Sequence, residues 1–588
     1  MIPRERKWRR RRRTLMLATL AASALLAARL VELQVLAHER LAAFARAQAS
    51  ERVLVPGPRG EIVDRDGRIL AISVPTRVLV VEPKRIERRA LAAIERAARV
   101  RPGRLTSRPD DPWELVTRDC DPRCEKEILA LVHKHVVPKT AVHLSPGFRR
   151  RYPNGPLAAS LLGFVTEDGS VAEGLERQYD ALLRPTDTQV LQVKDGYRRV
   201  WARAGSPIPR EPSSLMLTID ARLQEVLENA LDEALLRHEA RAAEGLILDP
   251  RNGEILALAV RPSFDPNRFF EASPERHRNA VVERAHEPGS VMKPFVAAAL
   301  VESGAAGAND TVFAEHGTWR DGRLTIHDHH PFGRLTLPGV LEVSSNIGIA
   351  KFARRLAPDR LYRILSAFGF GRRTGVDLPA ESPGTLPPPP RWRGRDRYAI
   401  CFGYCMTATT LQLAAAFGAL ANQGRWVTPH VARAWGSPEG SWHRTRAPRE
   451  RQVLNPATAT TIAGWLRRVV EGDHGTGRLA AVPGFTVAGK TGTAEKLVHG
   501  HYDRSRNRVV FAGFVPAASP RLVAVVALDE PRREGRTAGR VAAPVFARVA
   551  AEALRLLRVE PDAAPPATLL ASRTGGRSAD RERAGGTR

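Results

Sequence analysis

A hydroxyl becomes an effective nucleophile only when a neighbouring base takes its proton. The stretch His286-Glu287-Pro288-Gly289-Ser290-Val291-Met292-Lys293-Pro294-Phe295 lays out such a pair. A Pro-Gly turn leads into an apolar run, which predicts Ser290 in the first turn of a buried helix. Residues three apart on a helix share a face, so the Ser290 hydroxyl and the Lys293 amine should lie side by side. Lysine can serve as a base when burial and neighbouring cations hold its amine neutral. Lysine usage singles this one out: of 91 basic residues only ten are lysine, and Lys293 alone has a serine three residues before it. Where charge by itself suffices the chain carries arginine, which does not give up its proton. The bland alternative is a solvated serine and a surface lysine on an ordinary helix.

Two further motifs occur at wide separation. Leu341-Glu342-Val343-Ser344-Ser345-Asn346 sets a hydroxyl and an amide two residues apart. Ala488-Gly489-Lys490-Thr491-Gly492-Thr493 sets a cation, two hydroxyls and a glycine along one strand. Other candidates weigh less. His327, Asp328, His329 and His330 are too tightly clustered to converge on one metal ion and read as a polar loop, so no metal and no cofactor is expected. Glu495 and Lys496 read as strand-edge residues at the rim of a cleft. Cys120/Cys124 and Cys401/Cys405 form two local pairs with the wrong spacing for a zinc ribbon. Each is a short-loop disulfide or a pair of free thiols.

The elements that must position these motifs can be read from periodicity and turns. Leu223, Leu227, Leu231 and Leu235 make one stripe of a helix over 221–241. Two apolar runs, 245–249 and 254–260, flank Asn252-Gly253, a strong hairpin signal. Helices come next, including one over 408–423, and three strands close the region at 485–493, 508–516 and 522–529 before a helix near 540–558. A hairpin first, helices in the middle and a strand meander last imply an α+β fold, an antiparallel sheet flanked by helices. Residues 37–210 form a mixed N-terminal domain, ending in a Pro/Ser-rich linker at 207–214, and 211–558 the domain that holds all three motifs. The Ala/Pro then Arg/Gly/Ser composition of 559–588 reads as a disordered basic tail.

Ahead of both domains, residues 1–13 are strongly basic and 14–36 are mainly apolar. This predicts a single membrane anchor with its N-terminus in the cytoplasm and the bulk of the chain exported. A cleaved signal peptide is the competing reading. The formal charge of +28 raises nucleic acid as a partner, but the excess is spread widely and no zinc-finger, RNA-binding or phosphate-loop motif accompanies it. Arginine bias and a basic anchor flank account for it, and no nucleic-acid partner is expected.

S-x-x-K, S-D-N and K-T-G form the active-site set of penicillin-binding proteins and serine β-lactamases. Here the three read S-V-M-K, S-S-N and K-T-G in that order. With the anchor, the chain resembles a class B penicillin-binding protein, and the Ser-Ser-Asn triplet is similar to division-type members. The likeness extends to Arg59-Gly60-Glu61-Ile62, Arg151 to Gly155, Gly174 to Asp180, Gly403-Tyr404 and Ala542 to Phe546. Cys405 departs from it, standing where relatives commonly carry glycine.

The resemblance implies a peptidoglycan D,D-transpeptidase that crosslinks stem peptides ending in D-Ala-D-Ala in septal wall synthesis and is inhibited by β-lactams. It implies a pedestal role for 37–210 and a transpeptidase domain at 211–558. It also implies partners at the inner membrane, among them a SEDS-family glycosyltransferase and other division proteins. Ser290 would be the nucleophile and Lys293 its base, with the Ser290 and Thr493 backbone N–H groups as oxyanion donors. Ser344 would pass a proton to the leaving group, Asn346 orient Lys293, and Lys490 depress the Lys293 pKa. Thr491 and Thr493 would bind the terminal carboxylate, and Gly492 would clear room for substrate. Rival readings are an elongation-type enzyme, a catalytically silent division scaffold and a β-lactam sensor or hydrolase.

Overall fold

The computed structural model describes residues 3–563 apart from 56, 108–112, 167–168, 185–187, 195–199, 205–211, 323 and 438. Most of the expected 207–214 linker, and the tail from 564 on, lie outside the described residues. The described chain separates into two compact units built from discontinuous stretches. One takes Met1–Pro58, Pro75–Arg149 and Pro185–Pro212; the other takes Arg59–Val74, Arg150–Arg184 and Ser213–Arg588.

In the first unit the N-terminal helix Pro3–Val31 runs into a π-helical turn, and Arg10–Leu36 is long and apolar enough to cross a membrane. Further on, the amphipathic helices Arg88–Ala97 and Pro122–His133 close a small core of Leu79, Leu91, Ile94, Val116 and Ile128. Cys120 and Cys124 are joined by a disulfide within this core, whereas Cys401 and Cys405, in the other unit, are free.

The second unit is organised around a five-stranded antiparallel sheet. Its strands are β1 (Ala242–Leu248), β2 (Ile255–Arg261), β3 (Ala488–Val498), β4 (His501–Val515) and β5 (Leu522–Asp529), in spatial order β2-β1-β5-β4-β3. The Asn-Gly hairpin forms as predicted, with Gly253 at φ +79° where a side chain would be strained. β5 is apolar at successive positions because both faces of the sheet are covered. Its Val523, Val525 and Ala527 enter one core, and Leu522, Ala524, Val526 and Leu528 enter the other.

Two helices cover the second face: α1 (Ala221–Arg237), carrying the leucine stripe, and the C-terminal Ala538–Leu556. On the first face lie α2 (Lys293–Glu302), α3 (Asn346–Ala353) and α4 (Thr410–Ala421). Every residue of α4 is buried, as an all-round apolar helix requires, and a Thr409/Gln412 capping box opens it. The order of elements and the helices on both faces agree with the α+β expectation.

Two stretches expected in the N-terminal domain, 59–74 and 150–184, pack within this second unit. Fully buried Glu176 is their centre, accepting from Arg59 Nε and Arg150 Nε, each at 2.6 Å. Asp180 accepts from Arg59 Nη1 at 2.6 Å, and Tyr179 Oη donates to Asp377 at 2.7 Å. Asp377 in turn accepts from the Val431 and Ala432 N–H groups. Arg59, Arg150, Glu176 and Asp180 thus form a largely buried charge network.

Candidate active site

The nucleophile turn has unusual local chemistry. Gly289–Met292 is a 3-10 turn, and α2 begins only at Lys293. In a 3-10 turn residues three apart eclipse, which keeps Ser290 and Lys293 on one edge. Gly289 sits at φ +63°, and a Cβ there would stand 3.3 Å from Thr493 O and from Ala494 Cβ. Behind it, Gly289 N–H donates to Gly403 O at 3.1 Å, and a Cβ on Gly403 would overlap Gly289 O at 2.1 Å. The serine turn is therefore wedged between β3, where a Cβ on Gly289 would be tight, and the Gly403 segment, where only glycine fits.

Gly492 belongs to the same wedge. A Cβ on it would meet Pro288 O and Val291 Cγ1, both at 2.9 Å. The bare glycine lets β3 approach the serine turn. Next to it, Glu287 accepts from Cys405 N–H at 2.9 Å and Tyr502 Oη at 3.0 Å. Cys405 lies at φ +57°, a left-handed conformation that glycine takes without strain. His286 pairs through its backbone with Ala408, and burial, then Arg508, Arg284 and Lys496, push its imidazole down to about 2. It is a neutral structural residue, not a base.

The three motifs meet at one hydroxyl. Lys293, fully buried, donates to Ser344 O at 2.5 Å, Asn346 Oδ1 at 2.8 Å and Ser344 Oγ at 3.2 Å. Lys490, also fully buried, donates to the same Ser344 Oγ at 2.9 Å and to Thr491 O at 3.2 Å. Two amines around one hydroxyl in a dry site cannot both hold a proton cheaply. Burial pushes Lys293 down to about 7, with the charge of Asp328 opposing. Burial, and then the charge of Lys293, push Lys490 well down. Lys293 is thus lowered, as expected, with burial the leading cause, and the two amines share the cost of standing close together in a dry site.

The remaining motif residues divide by access. Thr491 is 7% exposed and its Oγ1 shares a hydrogen bond of 2.8 Å with Thr476 Oγ1, a residue that no sequence motif marks. Thr493 is half-buried, and its Oγ1 accepts from Ala538 N–H at 3.1 Å, leaving its own proton to donate. Lys496 pairs with Asp529 and Glu530. Among the described residues no group of three or more His, Cys, Asp or Glu side chains is arranged to hold a metal ion.

The loop read as merely polar contributes directly. Asp328 accepts from Ser345 Oγ and from the Asn346 and Ile347 N–H groups. No local sequence signal marks it: the strand Arg334–Thr336 and the helix Leu337–Val343 separate Asp328 from the turn, and only the fold brings its carboxylate to the free N–H groups at the start of α3.

Comparison with known proteins agrees with this geometry. Residues 245–551 match the penicillin-binding protein transpeptidase domain, and 54–212 match the penicillin-binding protein dimerisation domain. A probable peptidoglycan D,D-transpeptidase, PbpC of Pseudomonas aeruginosa, is 34% identical over 571 residues, 94% of this chain and 97% of that protein. The peptidoglycan D,D-transpeptidase FtsI of Escherichia coli K12 is 30% identical over 557 residues, 92% of this chain and 91% of that one. The crystal structure of penicillin-binding protein 3 from Mycobacterium tuberculosis with aztreonam superposes with a TM-score of 0.68 at 29% identity. That match covers 87% of this chain and 99% of that chain.

Proposed function

Since this chain belongs to the penicillin-binding protein transpeptidase family, we propose that it crosslinks peptidoglycan as a serine D,D-transpeptidase of the septal type. The observation that carries the mechanism is the Ser344 hydroxyl, held between buried Lys293 and buried Lys490. A stem-peptide carboxylate arriving at Thr493 and Thr491 stabilises the ammonium form of nearby Lys490. Ser344 is the hydroxyl through which a proton can pass from Lys293 to Lys490, leaving Lys293 neutral.

Lys293 then takes the Ser290 proton as Oγ attacks the penultimate D-Ala carbonyl. The Ser290 and Thr493 N–H groups stabilise the oxyanion. The peptide C–N bond breaks, the departing D-alanine amine receives a proton by way of Ser344, and Ser290 is left as an acyl ester. The amine of a second stem attacks that ester, forming the crosslink amide and returning the serine proton. A β-lactam would acylate Ser290 in place of the peptide.

The Arg10–Leu36 helix supports a single-pass inner-membrane protein. The basic residues before it favour a cytoplasmic N-terminus, with the chain that follows the helix outside. The SEDS-family glycosyltransferase and other division proteins complete this reading as partners.

The test is gel labelling of the full chain with a fluorescent penicillin, beside Ser290→Ala. Persistent label on the wild type that is absent from the variant is the expected result. Rapid loss of label would indicate a hydrolase, and no label on folded protein would indicate a scaffold. A fluorescent fusion concentrated along the lateral wall instead of the septum would move the chain to the elongation type.

A further inference from the structure

We propose, resting on the acyl-serine reading above, that Asp328 is a positioning residue for the reaction, clamping the turn that presents Ser344 and Asn346 to the two lysines. Its carboxylate accepts from Ser345 Oγ at 2.5 Å, from Asn346 N–H, and from Ile347 N–H at 3.0 Å. The two backbone donors are free N–H groups at the start of α3, an end that favours negative charge. His327 O completes the clamp by accepting from Asn346 Nδ2 at 3.0 Å. With Nδ2 so engaged, the amide must turn Oδ1 to Lys293, where it accepts at 2.8 Å. The loop thus decides which end of the Asn346 amide faces the base.

A clamp is needed because the turn is unfavourable on its own. Ser344 lies at φ +61°, a left-handed conformation poorly suited to a residue with a Cβ. Its N–H and that of Ser345 both turn back to Val340 O, which closes the preceding helix. Ser345 Oγ caps α3 by accepting from Gly348 N–H at 2.8 Å, which still leaves the Asn346 and Ile347 N–H groups without a partner inside the helix. Asp328 takes those two donors, and the Ser345 hydroxyl proton, from outside. Asp328 N–H donates to Gly317 O at 3.1 Å, at the base of the hairpin of Thr318–Asp321 and Leu324–His327. Geometry of the catalytic turn is therefore imposed by a hairpin that carries none of the three motifs.

Asp328 also bears on charge. Its carboxylate favours the protonated form of Lys293 against the effect of burial. The other groups facing that amine are Lys490 and His329. His329 is open to solvent yet sits in a cleft whose surrounding atoms, and then Lys293, lower its pKa. Asp328 is thus the anion of the set.

The experiment measures penicillin acylation against pH on the full chain, for wild type, Asp328→Ala and Asp328→Asn, with thermal melts alongside. Asp328→Ala is expected to lose about 100-fold in acylation rate through misplacement of the turn. Asp328→Asn, which keeps size and one acceptor, is expected to lose about tenfold. In the Asn variant the acid limb of the profile should also move to lower pH, because the anion that holds the proton on Lys293 is gone. Loss of stability alone would reduce the folded fraction without moving that limb. A folded Asn variant that acylates at the wild-type rate with an unmoved limb, or a limb displaced upward, overturns the clamp, and this variant decides if the Ala variant does not fold. Wild type that fails to label, or Ser290→Ala that still labels, would overturn the acyl-serine reading instead.

Discussion

At the residue scale the chemistry rests on burying two lysines where arginine would not serve. Lys293 is pushed down to about 7 mainly by burial, so its neutral, basic form grows as pH rises through that value. Acylation should rise across the same range, and a rate that falls between about pH 6 and 8 would contradict Lys293 as the base. The stability contribution has a matching sign. The folded-state pKa lies below the unfolded value of 10.5, so between these two the unfolded chain binds more protons and this group's contribution to stability rises with pH. Lys293→Arg keeps the charge but removes the base. It should lower acylation by about 10²–10⁴-fold while the protein still melts cooperatively.

At the element scale the decisive contact is between β3 and the serine turn. It depends on Gly403 and Gly492, where a Cβ would collide with the facing segment, and on Gly289, whose positive φ and tight 3.3 Å approach to β3 suit glycine. Gly492→Ala places a methyl 2.9 Å from Pro288 O and Val291 Cγ1. The expected cost is about 1–3 kcal/mol of overpacking, read as a lower melting temperature. Displacement of Ser290 from Thr493 should also lower acylation by about 100-fold. A variant with wild-type melting and wild-type labelling would show that the strand can yield. The spacing of Ser290 and Lys293 was legible from sequence because it is local. The contact of Gly492 with the serine turn was not, because the atoms that exclude a side chain belong to a segment some two hundred residues earlier.

At the scale of the whole molecule, buried charge ties distant stretches of sequence into one unit. Glu176 is fully buried with Arg59 and Arg150 as partners, and Tyr152 Oη lies 3.3 Å from it. Replacing it with glutamine leaves two guanidiniums facing a neutral amide in a dry site. Glu176→Gln should cost about 3–5 kcal/mol, measured as a lower urea midpoint for the full chain in detergent. An unchanged midpoint would mean that water reaches the network and screens it.

What the sequence determined by itself is what short-range chemistry and periodicity can carry. It set the motif identities, the Asn-Gly hairpin, the leucine stripe of α1, the apolar strands and the membrane-length helix. These depend on neighbours within a few residues, so one chain read in order is enough. Only tertiary structure decided that Ser344 Oγ stands between two amines, that burial more than Lys490 lowers the Lys293 pKa, and that Asp328 governs the Ser-Ser-Asn turn. Thr476 beside Thr491, and Glu176 at the centre of an ion network, came from the fold in the same way. Desolvation and hydrogen-bond partnership are set by every segment that packs around a group, and those segments are far apart along the chain.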